Sequence, residues 1–342
     1  MTKTLLYPLP EAVNGELFAL ETASGYHSWP MLQYSGALLC CVYSSGKEHM
    51  IGESCRNTFL KFSSDRGCSW SGAFPFSASA DYGEVPVAKG CDTEGNALFF
   101  IRRAPSREGL GRHHDLYKVD KTGAVSLLAQ PVLSPEPMQI TDLFSVPGEG
   151  LMALYFATSY KDSGNSWGIL ISCDDGRTWT QRTVEADLPL HELPTEPSVI
   201  YCGSGRLLAV ARTENKGADG CQFQLESDDS GKAWRRSKTN IQDVSQSTPS
   251  LIFDPRTNLV SNYYFERGKG LLKRRCTSLD KIWNASQNWS EPEILCRASQ
   301  CEYHAGNVNA VAAGSHHYIA FYSGTPSDTG VFVLKTKAPE KQ

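Results

Sequence analysis

An eight-residue pattern, Ser-x-Asp-x-Gly-x-Ser/Thr/Ala-Trp, occurs three times in this chain, as Ser63 to Trp70 (SSDRGCSW), Ser172 to Trp179 (SCDDGRTW) and Ser227 to Trp234 (SDDSGKAW). The copies start 109 and then 55 residues apart, so the first gap is close to twice the second and one copy has decayed. Self-similarity at a fixed period of this length marks solenoids and propellers. At that spacing 342 residues hold about six units.

The pattern accounts for its own recurrence. Asp and Ser side chains cap their own backbone in tight turns, Gly supplies a positive φ, and Trp plugs the turn onto a sheet. Three equivalent copies spread round a molecule cannot converge on one substrate, so these aspartates read as structural. Degenerate copies are expected at Lys118 to Gly123 (KVDKTG) and at Ser278-Leu279-Asp280, with Trp289-Ser290 after an insertion, and a sixth turn is expected near Lys335.

Overlaid in this register, each unit reads as short apolar runs bounded by Gly, Pro, Asn and Asp. Unit one gives WPMLQY, ALLCCVYS and TFLKFSSD, and unit four gives EPSVIYCG, RLLAVART and CQFQLESDD. No useful stretch has a helical apolar period, so the chain reads as all-β. The expectation is a six-bladed β-propeller with Asp-box turns, one domain over residues 1–342, because radial four-stranded sheets protect strand edges. Closure would come from the segment Leu5 to Leu20, as an outer strand of the last blade.

Composition narrows the function classes. A net charge of −4 without a basic stripe argues against nucleic-acid binding, and no 18-residue apolar run predicts a membrane span. The start does not read as a secretory signal, so the cytoplasm is expected, or a virion if a phage encodes the chain. The 11 cysteines lack zinc spacing and read as reduced, mostly buried small hydrophobes. His113 and His114 lack a third ligand at metal spacing, so no metal or other cofactor is predicted. Cys40 and Cys41 should face opposite sides of one strand.

Such repeats on a six-bladed plan resemble the sialidase (neuraminidase) superfamily over essentially the whole chain. The sharpest match is Glu196 to Arg212 (EPSVIYCGSGRLLAVAR). In that family a Glu opening the inner strand of blade four acts near the anomeric carbon, and an Arg ending the next strand binds the substrate carboxylate. The resemblance therefore assigns Glu196 and Arg212 those roles. Residue chemistry agrees, since both would stand at one end of adjacent strands and Arg offers a planar two-pronged donor to a carboxylate. An acidic, sialic acid-like carbohydrate is the implied ligand.

Two family features are missing. The first of three carboxylate-binding arginines lies in an Arg-Ile-Pro segment, but here His27-Ser28-Trp29-Pro30 puts Ser28 in its place. The third is assigned to Arg267, with Arg274 or Arg275 further along the chain. The nucleophilic Tyr of a Tyr-Ser segment is also absent: the matching stretch is Tyr303-His304-Ala305-Gly306, while Tyr322-Ser323 and Tyr264 lie elsewhere. This pattern of losses is similar to that of phage endosialidases. For the general acid, the loop after ALLCCVYS offers Glu48, His49 and Glu53, with Arg56 as a charge partner. A ring of strand-end residues, Tyr43, Arg103, Phe156, Arg212, Tyr264 and Tyr322, suits an acidic sugar, and His304 joins the ligand-binding set.

The expected function is a sialidase-type glycoside hydrolase with a non-standard mechanism. An inactive carbohydrate-binding propeller is the alternative, and a third reading is another propeller hydrolase in which Glu84 or Asp142 faces Glu196. Oligomeric state, linkage and endo or exo action stay open.

Overall fold

The computed structural model describes residues 8–36, 38–52, 55–215, 220–244 and 246–340. Its strands form six antiparallel blades. Blade one comprises Tyr26–Tyr34, Leu39–Gly46, Asn57–Ser63 and Phe74–Ser77, and blade two Tyr82–Cys91, Ala97–Pro105, His113–Val119 and Val125–Ala129. Blade three runs Gln139–Val146, Gly150–Ala157, Asn165–Ser172 and Thr180–Leu188; blade four runs Thr195–Tyr201, Leu207–Arg212, Phe223–Ser227 and Arg235–Lys238. Blade five has Ser250–Asp254, Leu259–Glu266, Leu271–Ser278 and Glu293–Arg297, and blade six Ala305–Ala313, His316–Gly324 and Thr329–Lys337. Each first strand packs against that of the next blade, and blade six's against blade one's, so the ring is closed.

The amino-terminal segment closes it as expected, with a refinement. Glu16–Glu21 pairs antiparallel with Thr329–Lys337 as the fourth strand of blade six, Leu17 opposite Leu334 and Phe18 opposite Val333. Before that, Glu11–Ala12 adds a fifth strand to blade five. A single parallel bridge, Thr329 to Tyr26, links blades six and one. The ends of the chain are thus held to each other across the seam.

Each space between neighbouring blades holds its own apolar cluster. Cys41 belongs to the cluster between blades six and one and Cys40 to that between blades one and two, so the adjacent cysteines do face opposite sides. Burying one large apolar side chain contributes roughly 1.5–3 kcal/mol, and every blade donates both faces to such packing. The cysteines as a set are less buried than expected: Cys40, Cys41, Cys202, Cys221 and Cys296 are buried, whereas Cys55, Cys68 and Cys173 are exposed.

The three Asp-box turns share one hydrogen-bond plan. In the second copy Ser172 Oγ donates to Asp174 Oδ1 at 2.8 Å and accepts from Gly176 N at 2.8 Å, while Thr178 N donates to Asp174 Oδ1 at 2.8 Å. Trp179 Nε1 returns to Gly176 O at 2.9 Å. The third copy repeats this with Ser227, Asp229, Gly231, Ala233 and Trp234, and the first with Ser63, Asp65, Gly67 and Ser69. The degenerate Asp120 turn survives, its carboxylate accepting from Thr122 N and Ala124 N. The copy expected at Ser278 is instead a helical turn, Leu279–Ile282, because Leu279 and Ile282 bury themselves against blades four and five. The turns connect third to fourth strands, at the opposite end of the blades from where first strands begin and second strands finish.

Gly176 has φ 88°, and an added Cβ would lie 2.8 Å from Leu116 Cδ2. The left-handed backbone alone costs an L-residue about 1–2 kcal/mol. Gly176→Ala should therefore lower the urea midpoint at unchanged slope by at least that much, whereas Gly148→Ala, whose Cβ meets nothing, should show only the backbone part.

Candidate active site

The site begins with a break in three inner ladders. First strands of blades one, four and six carry two-residue bulges at Trp29-Pro30, Glu196-Pro197 and Asn307-Val308. Proline has no N–H to continue a ladder. The leading residues Trp29, Glu196 and Asn307 take left-handed backbones, with φ of 49°, 47° and 49°. Such conformations cost energy in non-glycine residues and collect at functional sites. Here they bring the Glu196 and Asn307 side chains together at Thr248, while Trp29 packs against the cluster between blades two and three.

Glu196 and Arg212 meet as expected. Arg212 Nη1 donates to Glu196 Oε2 at 3.0 Å, and Thr248 Oγ1 donates to the same oxygen while lying 3.3 Å from Asn307 Oδ1. Arg212 Nη2 is gripped by both carboxylate oxygens of Glu214, at 2.8 and 3.1 Å. Glu214 is further held by Thr195 Oγ1 at 2.9 Å and Gln246 Nε2 at 3.0 Å. Burial opposes the Arg212 charge, but Glu196 and Glu214 outweigh it and hold the guanidinium pKa above its ordinary value. Arg267 stands beside this group, donating from Nη1 to Gln246 O at 2.9 Å with its guanidinium 5.8 Å from the Tyr303 ring centroid. The Nε atoms of Arg212 and Arg267 and Nδ2 of Asn307 are buried without partners.

An aromatic and imidazole floor adjoins it. Tyr26 Oη lies 2.8 Å from His49 Nδ1 and 2.9 Å from His304 Nδ1. A phenol has one proton, so it donates to one imidazole and accepts N–H from the other, and the two histidines take opposite tautomers. Burial, then His304, Arg267 and Arg56, lowers the His49 pKa to about 4, and burial followed by Arg267 lowers that of His304. The Tyr322 ring packs 6.3 Å from Tyr26 and 6.4 Å from Trp29. Its hydroxyl donates to Tyr303 O at 2.7 Å. Tyr160, half exposed on the blade-three side, feels the charges of Glu196, Arg212 and Glu214.

Several expected ligand contacts are structural. Tyr43 is buried with its hydroxyl on Glu21 Oε2 at 2.9 Å, and Tyr264 is buried with its hydroxyl on Asp243. Strand alternation explains both, since one residue's displacement moves a side chain to the other face. Ser44, paired with Ser28, is blade one's counterpart of Arg212, which pairs with Thr195. Arg275 donates to Tyr264 Oη at 2.7 Å and to Asp243 at 3.0 Å, inside blade five. Arg103 is locked between Glu84 and Asp115 and touches Tyr117 Oη. Arg56 is fully buried beneath Trp29, 4.8 Å from its ring, and holds Met50 O, Glu48 O and Ser44 Oγ. It braces the loop from beneath.

Among the acid candidates, His49 is in the site. Glu48 is exposed and contributes its carbonyl to Arg56, and Glu53 lies outside the described residues. The two-carboxylate reading loses its geometry: Glu84 is buried against Arg103, and Asp142 accepts from Ser198 Oγ at 2.6 Å. Sequence reasoning passed over Glu214, Thr248, Asn307 and Tyr26. Glu214 was findable, because residues two apart on a strand share a side and Arg212 was already placed. Thr248 and Asn307 come from other blades and carry no local signal.

No protein-family model matches the chain, and no curated protein does. Solved structures do resemble it. A protein of unknown function from Dyadobacter fermentans superposes with TM-score 0.72 at 16% identity, covering 94% of this chain and 99% of that one. A mutant of NanB sialidase from Streptococcus pneumoniae gives 0.70 at 11%, covering 95% and 70%. The Trypanosoma rangeli sialidase in complex with sialic acid gives 0.67 at 11%, covering 98% of this chain, which spans 58% of that enzyme. At these identities the shared property is the fold.

Removing Arg212 strands two largely buried carboxylates, so Arg212→Met should destabilise by about 3 kcal/mol in chemical denaturation. The His49 and His304 shifts set a pH dependence. With folded-state pKa values below the ordinary 6.5, the unfolded chain binds protons first. Their stabilisation is complete above pH 6.5 and is lost as pH falls toward 4. Melting temperature should drop across that window, and His49→Gln should shallow the drop.

Proposed function

We propose that this chain, which has the propeller fold seen in sialidases, is a glycosidase that hydrolyses an acidic, sialic acid-like glycan. One observation carries the reading: Glu196 and Arg212 stand 3.0 Å apart at the open ends of adjacent inner strands of blade four, with Arg267 beside them. Arg267 and Arg212 would bind the sugar carboxylate as planar donors. Half-exposed Tyr160 and Tyr303 offer faces to the sugar ring.

Glu196 is held by Arg212 and Thr248, and Tyr322 spends its proton on a backbone carbonyl. Water is therefore the nucleophile in this proposal. Glu196 removes one proton from the water as its oxygen bonds to the anomeric carbon, and the glycosidic C–O bond breaks with His49 giving a proton to the leaving oxygen. Solvent then takes the proton from Glu196 and restores that of His49. Direct attack inverts the anomeric configuration.

The same observation supports a second reading, in which the site binds an acidic glycan and does not cleave it. Incubation with 3′- and 6′-sialyllactose and with polysialic acid separates the two. Hydrolysis should occur, rise as pH falls from 7 toward 5 because His49 must be protonated, give the inverted anomer first by NMR, and fall at least 10²-fold in Glu196→Gln. No product from any substrate, with sugar binding equal in wild type and Glu196→Gln, would establish the binding reading. Neither product nor binding would sink both.

A further inference from the structure

We propose that the blade-two wall of the mouth is a second oxyanion subsite, built from Arg102, Arg112 and His114, which takes the carboxylate of an acidic sugar adjoining the one at Glu196. It rests on the acidic-glycan reading above and extends it to a substrate carrying at least two acid groups.

Four buried or largely buried arginines of this protein come with acids. Arg103 has Glu84 and Asp115, Arg212 has Glu196 and Glu214, Arg274 has Glu293, and Arg275 has Asp243. Arg102 and Arg112, both part-buried, have no acid partner among the described residues. Among the described residues Arg102 makes no hydrogen bond or ion pair, and its Nε is buried without a partner. Among the described residues Arg112 hydrogen-bonds only Met138 Sδ, at 3.3 Å, and its Nε is likewise buried and unpartnered. Burial, then the neighbouring Arg112 charge, lowers the Arg102 pKa to about 10. Two part-buried like charges held side by side repel each other. An incoming anion would offset that repulsion.

His114 gives the subsite its second recognition element. It lies opposite Arg102 in the strand register, and its side chain is fully buried. Nδ1 stands 3.1 Å from Glu136 Oε1, so in the neutral imidazole Nδ1–H donates to the carboxylate and Nε2 is left as a bare acceptor. That Nε2 is buried and unpartnered. Two guanidiniums beside one hydroxyl acceptor match a carboxylate with a neighbouring hydroxyl, the chemistry of an acidic sugar.

The subsite is continuous with the first. The Glu196 charge acts on Arg102, and Tyr160 is subject to the charges of Glu196, Arg212 and Arg102. Arg103, one residue along the same strand, points away into its ion pairs.

Calorimetry with N-acetylneuraminic acid and with its α2,8-linked dimer tests the proposal on the full chain. Wild type should bind the dimer at least 10-fold more tightly than the single sugar. Arg102→Gln, and separately Arg112→Gln, should bring the dimer to the single sugar's affinity, while Arg212→Lys should weaken both ligands. A dimer preference that survives both blade-two substitutions would overturn the proposal. If wild type binds neither sugar, the acidic-glycan reading falls and inorganic sulfate decides the subsite. A sulfate-induced rise in melting temperature that is present in wild type and absent in Arg102→Gln and Arg112→Gln supports an anion subsite; an equal rise in all three overturns it. Without any anion, Arg102→Gln should melt above wild type, because it removes an unpaired desolvated charge.

Discussion

Everything in this protein depends on how six inner strands are tied into a ring that backbone pairing cannot close. Adjacent blades splay, so strand-to-strand ladders stop at each blade's first strand, apart from the single Thr329–Tyr26 bridge. Side chains bridge the gaps instead. Asp142 accepts from Ser198 Oγ at 2.6 Å, Ser198 from Leu251 N at 2.9 Å, Ser250 from Ala310 N at 2.9 Å, and Asn309 from Leu32 N at 2.7 Å. These bonds run from blade three round to blade one. Buried side-chain acceptors satisfy main-chain donors that would otherwise be orphaned.

The same ring creates the site. Where the inner ladders bulge, Trp29, Glu196 and Asn307 are forced into left-handed backbones just above the stitching bonds. The packed wedges below make the distortion tolerable, and the distortion delivers polar groups to one place. Function and structure are separated along the strand direction: Asp boxes secure one end of the blades and charged groups crowd the other. A repeat motif can therefore be strong evidence for architecture and silent about chemistry.

Electrostatics at the mouth differ from a simple carboxylate clasp. Arg212 is already neutralised by Glu196 and Glu214, so an acidic ligand must compete with protein carboxylates there. Among the described residues Arg102 and Arg112 have no such partners. The positive potential that would attract an acidic sugar thus lies toward blade two as well as at Arg267. Ser28, standing where the family resemblance called for an arginine, faces buried Arg56 at 3.4 Å, but Trp29 covers that guanidinium.

The sequence by itself determined the period, the all-β class, the six-blade plan and the closing role of the amino-terminal strand. Those follow from local chemistry: turn residues, period-two alternation and the size of the repeat. It also placed Glu196, Arg212 and Arg267 together, since strand order brings their ends to one mouth. What only the tertiary structure decided was which face each strand-end residue occupies. Tyr43, Arg103 and Tyr264 turned into interblade packing because bulges and strand alternation shift orientation by single residues, below the resolution of an overlay of repeats. Thr248 beside Glu196, and the histidines on Tyr26, are contacts between segments up to 278 residues apart. No local pattern encodes such meetings, because the closing of the ring alone brings those side chains within hydrogen-bonding distance.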